Sequence, residues 1–405
     1  MTSVPSPFPP SPFPPSPFPP MPAGVPPMPA GAAAGTAAAP AAPAPAAQSA
    51  GGAPASLQEI LRFAHEKNYS DVHIGVGEEP RFRARGDMLR TGWPRTDLAS
   101  FNGYLREMLS PAQVDAFQRD KEYDGSFAFP FVRVRINLLD SLRGPGMVLR
   151  LIPQKIASLD DLKLPPVLRD LCERPKGMVL ITGPTGSGKS TTLAAMIDWI
   201  NHTMARHILT IEDPVEFVHE SDKSLIRHRE VGQHTKVFHN ALRAALREDP
   251  DVILIGEIRD QETLSTALEA SQTGHLVFGT LHTNSAVKTV ERVLGMYPPD
   301  EQDSIRRAIS ESLLGVISQG LIKTSDGKRA AFHDIFINTD ACKDYIMRGD
   351  LGEIEDIMGR SAFDGMQTIN QSLLKLVEAG RASGEDAIAQ SLRPNELAMA
   401  LRGRT

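Results

Sequence analysis

Leu57, Ile60, Leu61 and Ala64 fall at i, i+3, i+4 and i+7, the spacing of one buried face of an amphipathic helix. Ser56 stands where an N-cap is needed, and Glu59 three residues later completes a capping box, so the spacing predicts a helix opening near Ser56. A period of two then takes over. Val72-His73-Ile74, Arg81 to Arg85, Phe127 to Phe129 and Val132 to Leu138 alternate in character as half-buried strands do. Residues 56–153 read as a small α+β domain, and 154–173 as a connector.

From Lys176 the pattern changes. Apolar runs bounded by turns (Met178–Thr182, Ile208–Ile211, Val252–Ile255 and Leu276–Thr280) alternate with amphipathic helical segments. Such alternation predicts a parallel sheet with helices on both faces. This α/β part is taken as 174–405, with 304–405 mostly helical apart from one hairpin near Gly327.

Residues 1–55 follow neither period. Ser-Pro-Phe-Pro-Pro occurs three times, from Ser6, Ser11 and Ser16, an Ala/Pro/Gly stretch follows, and no charged side chain precedes Glu59. Proline removes backbone donors and fixes φ, so this leader is expected to be disordered, extended and unpacked. It serves as a spacer, or as a docking segment for a partner with an aromatic-lined groove, anchored by Phe8, Phe13 and Phe18.

The remaining composition narrows the class. With 41% hydrophobic residues the chain can bury a sizeable core, and its net charge of −6 lacks the basic excess of a nucleic-acid binder. Cys172 and Cys342 form no C-x-x-C pair and read as two reduced thiols of a cytosolic protein. No stretch approaches the ~18–20 apolar residues of a transmembrane segment.

Gly183-Pro184-Thr185-Gly186-Ser187-Gly188-Lys189-Ser190 matches G-x-x-x-x-G-K-[ST]. An apolar strand leads in, and a helix with Leu193, Met196, Ile197 and Ile200 on one face leads out. The glycines let successive N–H groups, on through Thr191, face phosphate oxygens at a helix N-terminus. Lys189 then bridges the β- and γ-phosphates of ATP, and the Ser190 hydroxyl ligates Mg²⁺.

Hydrolysis also needs a group that positions water. Asp251-Val-Ile-Leu-Ile-Gly256-Glu257 is an apolar strand ending in an acid, which makes Glu257 the first candidate. Glu212, Asp213 and Glu216 end another strand. Three carboxylates so close repel unless a cation compensates, and nucleotide-bound Mg²⁺ is that cation; the alternative is a solvated acidic turn begun by Asp213-Pro214. His275 and His282 bracket a further strand, where an imidazole can sense the γ-phosphate or bond a carboxylate.

Order, spacing and joining sequence of these four elements resemble one superfamily, the hexameric ATPases of type II secretion and type IV pili, over about residues 56–375. Within it the chain is most similar to PilT-type pilus-retraction ATPases. Ser70–Ile74, Val132–Asn137 and Arg143–Gly146 resemble their N-terminal domain, and Val316–Gln319 and Gly365–Thr368 their C-terminal helical part. The resemblance implies a RecA-like P-loop ATPase core, an N-terminal PAS-like domain and a homohexamer. It further implies nucleotide sites completed by arginines of the PAS-like domain, with Arg133, Arg135, Arg143 and Arg150 as candidates. The implied output is ATP-driven pilus retraction against an inner-membrane platform protein of the PilC type, from the cytoplasmic face and without direct nucleic-acid contact. One motif departs: Ala341-Cys-Lys-Asp-Tyr-Ile-Met-Arg348 stands where these motors carry an Ala-Ile-Arg-Asn-Leu-Ile-Arg-like helix. An accessory paralogue, a secretion ATPase of the same type and a nucleic-acid-dependent RecA-like motor are the alternatives.

Overall fold

The computed structural model describes residues 56–84, 86–152 and 155–403, and the counts below are of these. The leader, with Phe8, Phe13 and Phe18, lies outside them, as does Arg85.

Helix α1 (Leu57–Glu66) opens as its spacing predicts: the Ser56 hydroxyl accepts the Glu59 N–H, and Leu57, Ile60, Leu61 and Ala64 are buried. Six strands follow, β1 (Asp71–Gly75), β2 (Arg81–Ala84), β3 (Asp87–Arg90), β4 (Glu122–Phe129), β5 (Val132–Leu139) and β6 (Gly146–Ile152), with α2 (Leu98–Met108) and α3 (Pro111–Asp120) between β3 and β4. They form an antiparallel sheet in the order β3-β2-β1-β6-β5-β4. Alternation along β5 sends Val132, Val134, Ile136 and Leu138 into one core with α1, Phe82 and Phe101. The intervening Arg133, Arg135 and Asn137 occupy the other face.

Residues 155–166 carry no helix or strand, but the end of the expected connector does. Helix α4 (Val167–Cys172) buries Leu168 and Cys172 against the second sheet. That sheet has seven strands: β7 (Gly177–Thr182), β8 (His207–Glu212), β9 (Leu225–Glu230), β10 (Val252–Ile255), β11 (Leu276–Leu281), β12 (Leu313–Lys323) and β13 (Arg329–Ile337), in the order β13-β12-β7-β11-β10-β8-β9. Every pairing is parallel except β12 with β13. Between them run α5 (Lys189–Thr203), α6 (Phe238–Ala245), α7 (Gln261–Gln272), α8 (Ala286–Leu294) and α9 (Gln302–Ser312). Strands β7, β10 and β11 are buried on both sides: Leu180, Ile253 and Val277 pack with α6 to α9, and Val179, Leu254 and Phe278 with α4 and α5.

Val316–Gln319, expected in a helical part, lies instead in β12. Val316 and Ile317 are fully buried on opposite sides of the sheet beside β7, a setting that suits β-branched side chains. The hairpin near Gly327 is present, with arms long enough to enter the main sheet. Beyond it come α10 (Asp340–Arg348), α11 (Leu351–Arg360), α12 (Ile369–Glu378), α13 (Gly384–Gln390) and α14 (Pro394–Arg402). Cys172 and Cys342 are buried and unpaired, and burial pushes the Cys172 thiol far up. No helix among the described residues is long and apolar enough to cross a membrane.

A buried ion pair joins the two sheets. Arg133 Nη2 on β5 donates to Glu230 Oε2 on β9 at 2.7 Å and to Ser126 Oγ at 2.6 Å. Glu230 is 1% exposed. Truncating one partner of such a pair strands the other as an unpaired charge. Arg133→Met should therefore cost ~3 kcal/mol of unfolding free energy in urea titration, and Arg133→Met/Glu230→Gln should recover most of it. A loss below ~1 kcal/mol in the single variant would mean that the pair does not hold the sheets together.

Candidate functional site

The parallel register brings four strand ends to one edge. Thr182 is level with Leu281, Ile255 with Gly279, and Ile211 with Ile255. The segments that follow (the glycine loop, Glu257, the 212–216 turn and His282) therefore leave the sheet together.

Gly183 (φ 141°), Gly186 (φ 79°) and Gly188 (φ 90°) curl the loop in the left-handed region, where side chains are strained. Lys189 and Ser190 open α5, so the last turn of the loop is continuous with the helix N-terminus. Lys189 Nζ spans the loop, donating to Gly183 O at 2.8 Å and Pro184 O at 3.1 Å. Burial lowers the Lys189 pKa, and the charges of Glu257 and Glu216 oppose that fall. The carboxylates of two separate motifs thus act on the loop's ammonium.

Glu257 sits one residue beyond Gly256 and is held from two sides. Arg259 Nη2 donates to its Oε2 at 2.7 Å, and His282 Nε2 lies 3.3 Å from its Oε1. The Arg259 hydrogen bond first, then the charges of Arg259, His282 and Lys189, keep the Glu257 carboxyl below the usual glutamate range despite partial burial. The preceding turn is braced by Thr280 Oγ1, which donates to Gly256 O at 2.5 Å, and by Gly256 N–H, which donates to Ile211 O at 2.8 Å.

Within the chain the three carboxylates of the acidic turn face different groups. Glu212 Oε2 accepts the Glu216 N–H at 3.2 Å, and its Oε1 is 3.8 Å from His228 Nδ1. Glu216 acts on Lys189, while Asp213 adds, behind Glu257, to the charges that raise the Arg259 pKa. Each carboxylate faces its own protein group, and no group of three or more His, Cys, Asp or Glu that could hold a metal occurs among the described residues. This suits an ion carried mainly by phosphate oxygens and the Ser190 hydroxyl, as Mg²⁺ sites of this chemistry are built.

Two expectations are not met within the chain. His275 precedes β11 while His282 follows it, so the two lie at opposite sheet edges, roughly 20 Å apart at ~3.3 Å per residue. His275 instead closes the α7–β11 turn, its Nδ1 3.0 Å from Ala270 O, with Gly177 N–H donating to its carbonyl. The arginines of the first sheet are also engaged elsewhere: Arg133 with Glu230, Arg150 with Asp71 at 2.9 Å and Arg143 with Glu78 at 3.7 Å. Arg135 stands beside Arg150 in the β5–β6 register.

Sequence reasoning passed over Arg259, although it follows Glu257 by two residues, and over Gln319, whose contacts with the loop are long-range. Two cavities flank the loop. One of about 610 Å³ opens at Gly188, Thr191 and Thr192. Another, about 420 Å³, is lined by Pro184, Thr185 and Asn284. A larger cavity of about 780 Å³ lies on the first sheet around His73 and Arg81, away from every acidic and glycine motif.

A strand, a curled glycine loop and a helix N-terminus, faced by an ion-paired glutamate, suit a bound triphosphate. Residues 47–404 match the type II/IV secretion system protein family. A twitching motility protein of Neisseria gonorrhoeae is 49% identical over 310 residues, 76% of this chain and 83% of that protein. The type IV pilus retraction ATPase PilT of Pseudomonas aeruginosa is 45% identical over 332 residues, 82% of this chain and 96% of that protein. The crystal structure of the pilus retraction motor PilT with bound ADP superposes with a TM-score of 0.80 at 40% identity, covering 85% of this chain and 99% of that one. With the matched region spanning all of the described residues, the chain belongs to the type II/IV secretion system protein family.

Proposed function

We propose that the chain is an ATP-hydrolysing motor that drives type IV pilus retraction, and with it twitching motility and DNA uptake. The observation that carries this reading is the shared level of the strand ends, which brings the glycine loop, Glu257 and the 212–216 turn to one edge of the sheet, in a chain 45% and 49% identical to a retraction ATPase and a twitching motility protein.

In this reading 174–405 is a RecA-like ATPase domain and 56–153 a PAS-like domain. Six antiparallel strands with α1 to α3 packed on one face support the PAS-like assignment. Residues Gly183 to Thr191 wrap the phosphates, Lys189 neutralises the β- and γ-oxygens and Ser190 supplies its hydroxyl to the metal. Mg²⁺ contributes charge neutralisation across the phosphate oxygens. Glu257, kept ionised by Arg259 and His282, accepts a hydrogen bond from the attacking water and aligns it. Glu212 holds the acidic turn through the Glu216 N–H, which keeps Glu216 near Lys189.

The chain works as a homohexamer on the cytoplasmic side, peripheral at the inner membrane, against a platform protein of the PilC type. The exposure of Arg143 and Arg150, whose side chains are 77% and 66% exposed, supports their acting on a neighbouring subunit's nucleotide. The drifted 341–348 motif lies within α10, with Cys342 and Ile346 buried, which supports a retained packing role.

Lys189→Ala should abolish phosphate release, and wild-type turnover in that variant would refute the site. Glu257→Gln should lower kcat by roughly 10²-fold or more while nucleotide still binds, the scale of a lost general base. His282→Ala removes one Glu257 partner and should lower kcat about fivefold, whereas His275→Ala, a strand length away, should leave kcat within about twofold. Equal losses in the two histidine variants would contradict the separation of their roles. In cells, deletion of the gene should give hyperpiliated, non-twitching cells; bald cells would mean assembly instead.

A further inference from the structure

We propose that Gln319 is a positioning residue for the nucleotide loop: it fixes the curvature of Gly183–Gly188 and through that the affinity for nucleotide. The proposal rests on the nucleotide-site reading above.

Gln319 is 4% exposed and sits on β12, next to Ser318, which pairs with Thr182 at the end of β7. Its backbone therefore runs alongside Gly183. Its carboxamide reaches across the loop and uses both ends. Nε2 donates to Ser187 O at 2.7 Å, and Oε1 accepts from Thr192 Oγ1 at 2.7 Å. The orientation is fixed by chemistry, since a carbonyl oxygen only accepts and the Thr192 hydroxyl supplies the proton. The loop's midpoint and the first turn of α5 are thereby tied to a strand that belongs to neither.

The fit is close enough to dictate sequence. A Cβ on Gly183 would lie 2.2 Å from Gln319 O, and one on Gly188 would lie 2.7 Å from Gln319 Nε2. Gly183 is thus held to glycine by the Gln319 main chain as well as by its positive φ, and the Gln319 carboxamide leaves little room beside Gly188. Ser187, whose carbonyl takes the Gln319 hydrogen bond, is 4% exposed and its own hydroxyl has no partner. The tie to Gln319 therefore acts through the Ser187 main chain, the part of the loop that presents N–H groups.

Loop N–H groups that bind phosphates in ground and transition states alike contribute uniform binding, whose loss raises KM and leaves kcat. This separates positioning from a merely structural role, which would move the thermal midpoint alone. Gln319→Met fills a similar space without either hydrogen bond. It should raise the Kd for a fluorescent ADP analogue and the KM for ATP by about tenfold, with kcat within about twofold. Thr192→Val removes the other donor and should raise Kd about threefold; in Thr192→Val/Gln319→Met the effects should not add, because they break one network. Gln319→Glu keeps the acceptor but puts a carboxylate against Ser187 O. Its affinity loss should shrink as pH falls from 8 to 6, because protonation restores a donor to a buried carboxyl.

Wild-type Kd in folded Gln319→Met, or in Thr192→Val should the glutamine variant not fold, would overturn the proposal, as would strictly additive effects. Wild-type affinity in these variants alongside an inactive Lys189→Ala removes Gln319's role and leaves the nucleotide site standing; an active Lys189→Ala removes both.

Discussion

The parallel register of β8, β10, β11 and β7 is the constraint on which the site depends. Hydrogen-bonded in step, these strands end at one level, and whatever follows each of them is delivered to the same edge. The delivered groups are weak alone: a lysine, one glutamate paired with an arginine, an acidic turn and an imidazole. Brought together they form a corner where an ammonium and a carboxylate influence each other's ionisation. A one-residue slip of β10 would carry Glu257 out of reach of His282 and exchange the side chains that β10 sends to the two cores, so core packing and site geometry enforce the same register.

The charges around the site are met by groups of the chain itself. Arg259 serves Glu257 and Asp213, Lys189 serves Glu216, and His228 stands near Glu212.

What the sequence revealed follows from the range of each interaction. The glycine loop is contiguous, so its motif carries its own context of strand and helix. The four short apolar strands were read nearly to the residue because both their faces are buried. His275 misled for a geometric reason: flanking a strand is symmetric in sequence, but only one end of a parallel strand faces the ligand edge. Gln319 could not be found at all, since its partner Ser187 lies 132 residues away and its string suggested a helix. The Arg133–Glu230 pair is likewise long-range, and nothing near either residue in sequence announces it.

That pair has a mechanical corollary. The Glu230 Oε2 that accepts the Arg133 hydrogen bond also accepts the Val215 N–H at 3.1 Å, inside the acidic turn. One oxygen atom therefore serves as the pivot between the first sheet and the turn beside Lys189. A tilt of the first sheet that moves Arg133 therefore either pulls on that turn through Glu230 or breaks the Arg133 hydrogen bond, so one carboxylate couples the two sheets.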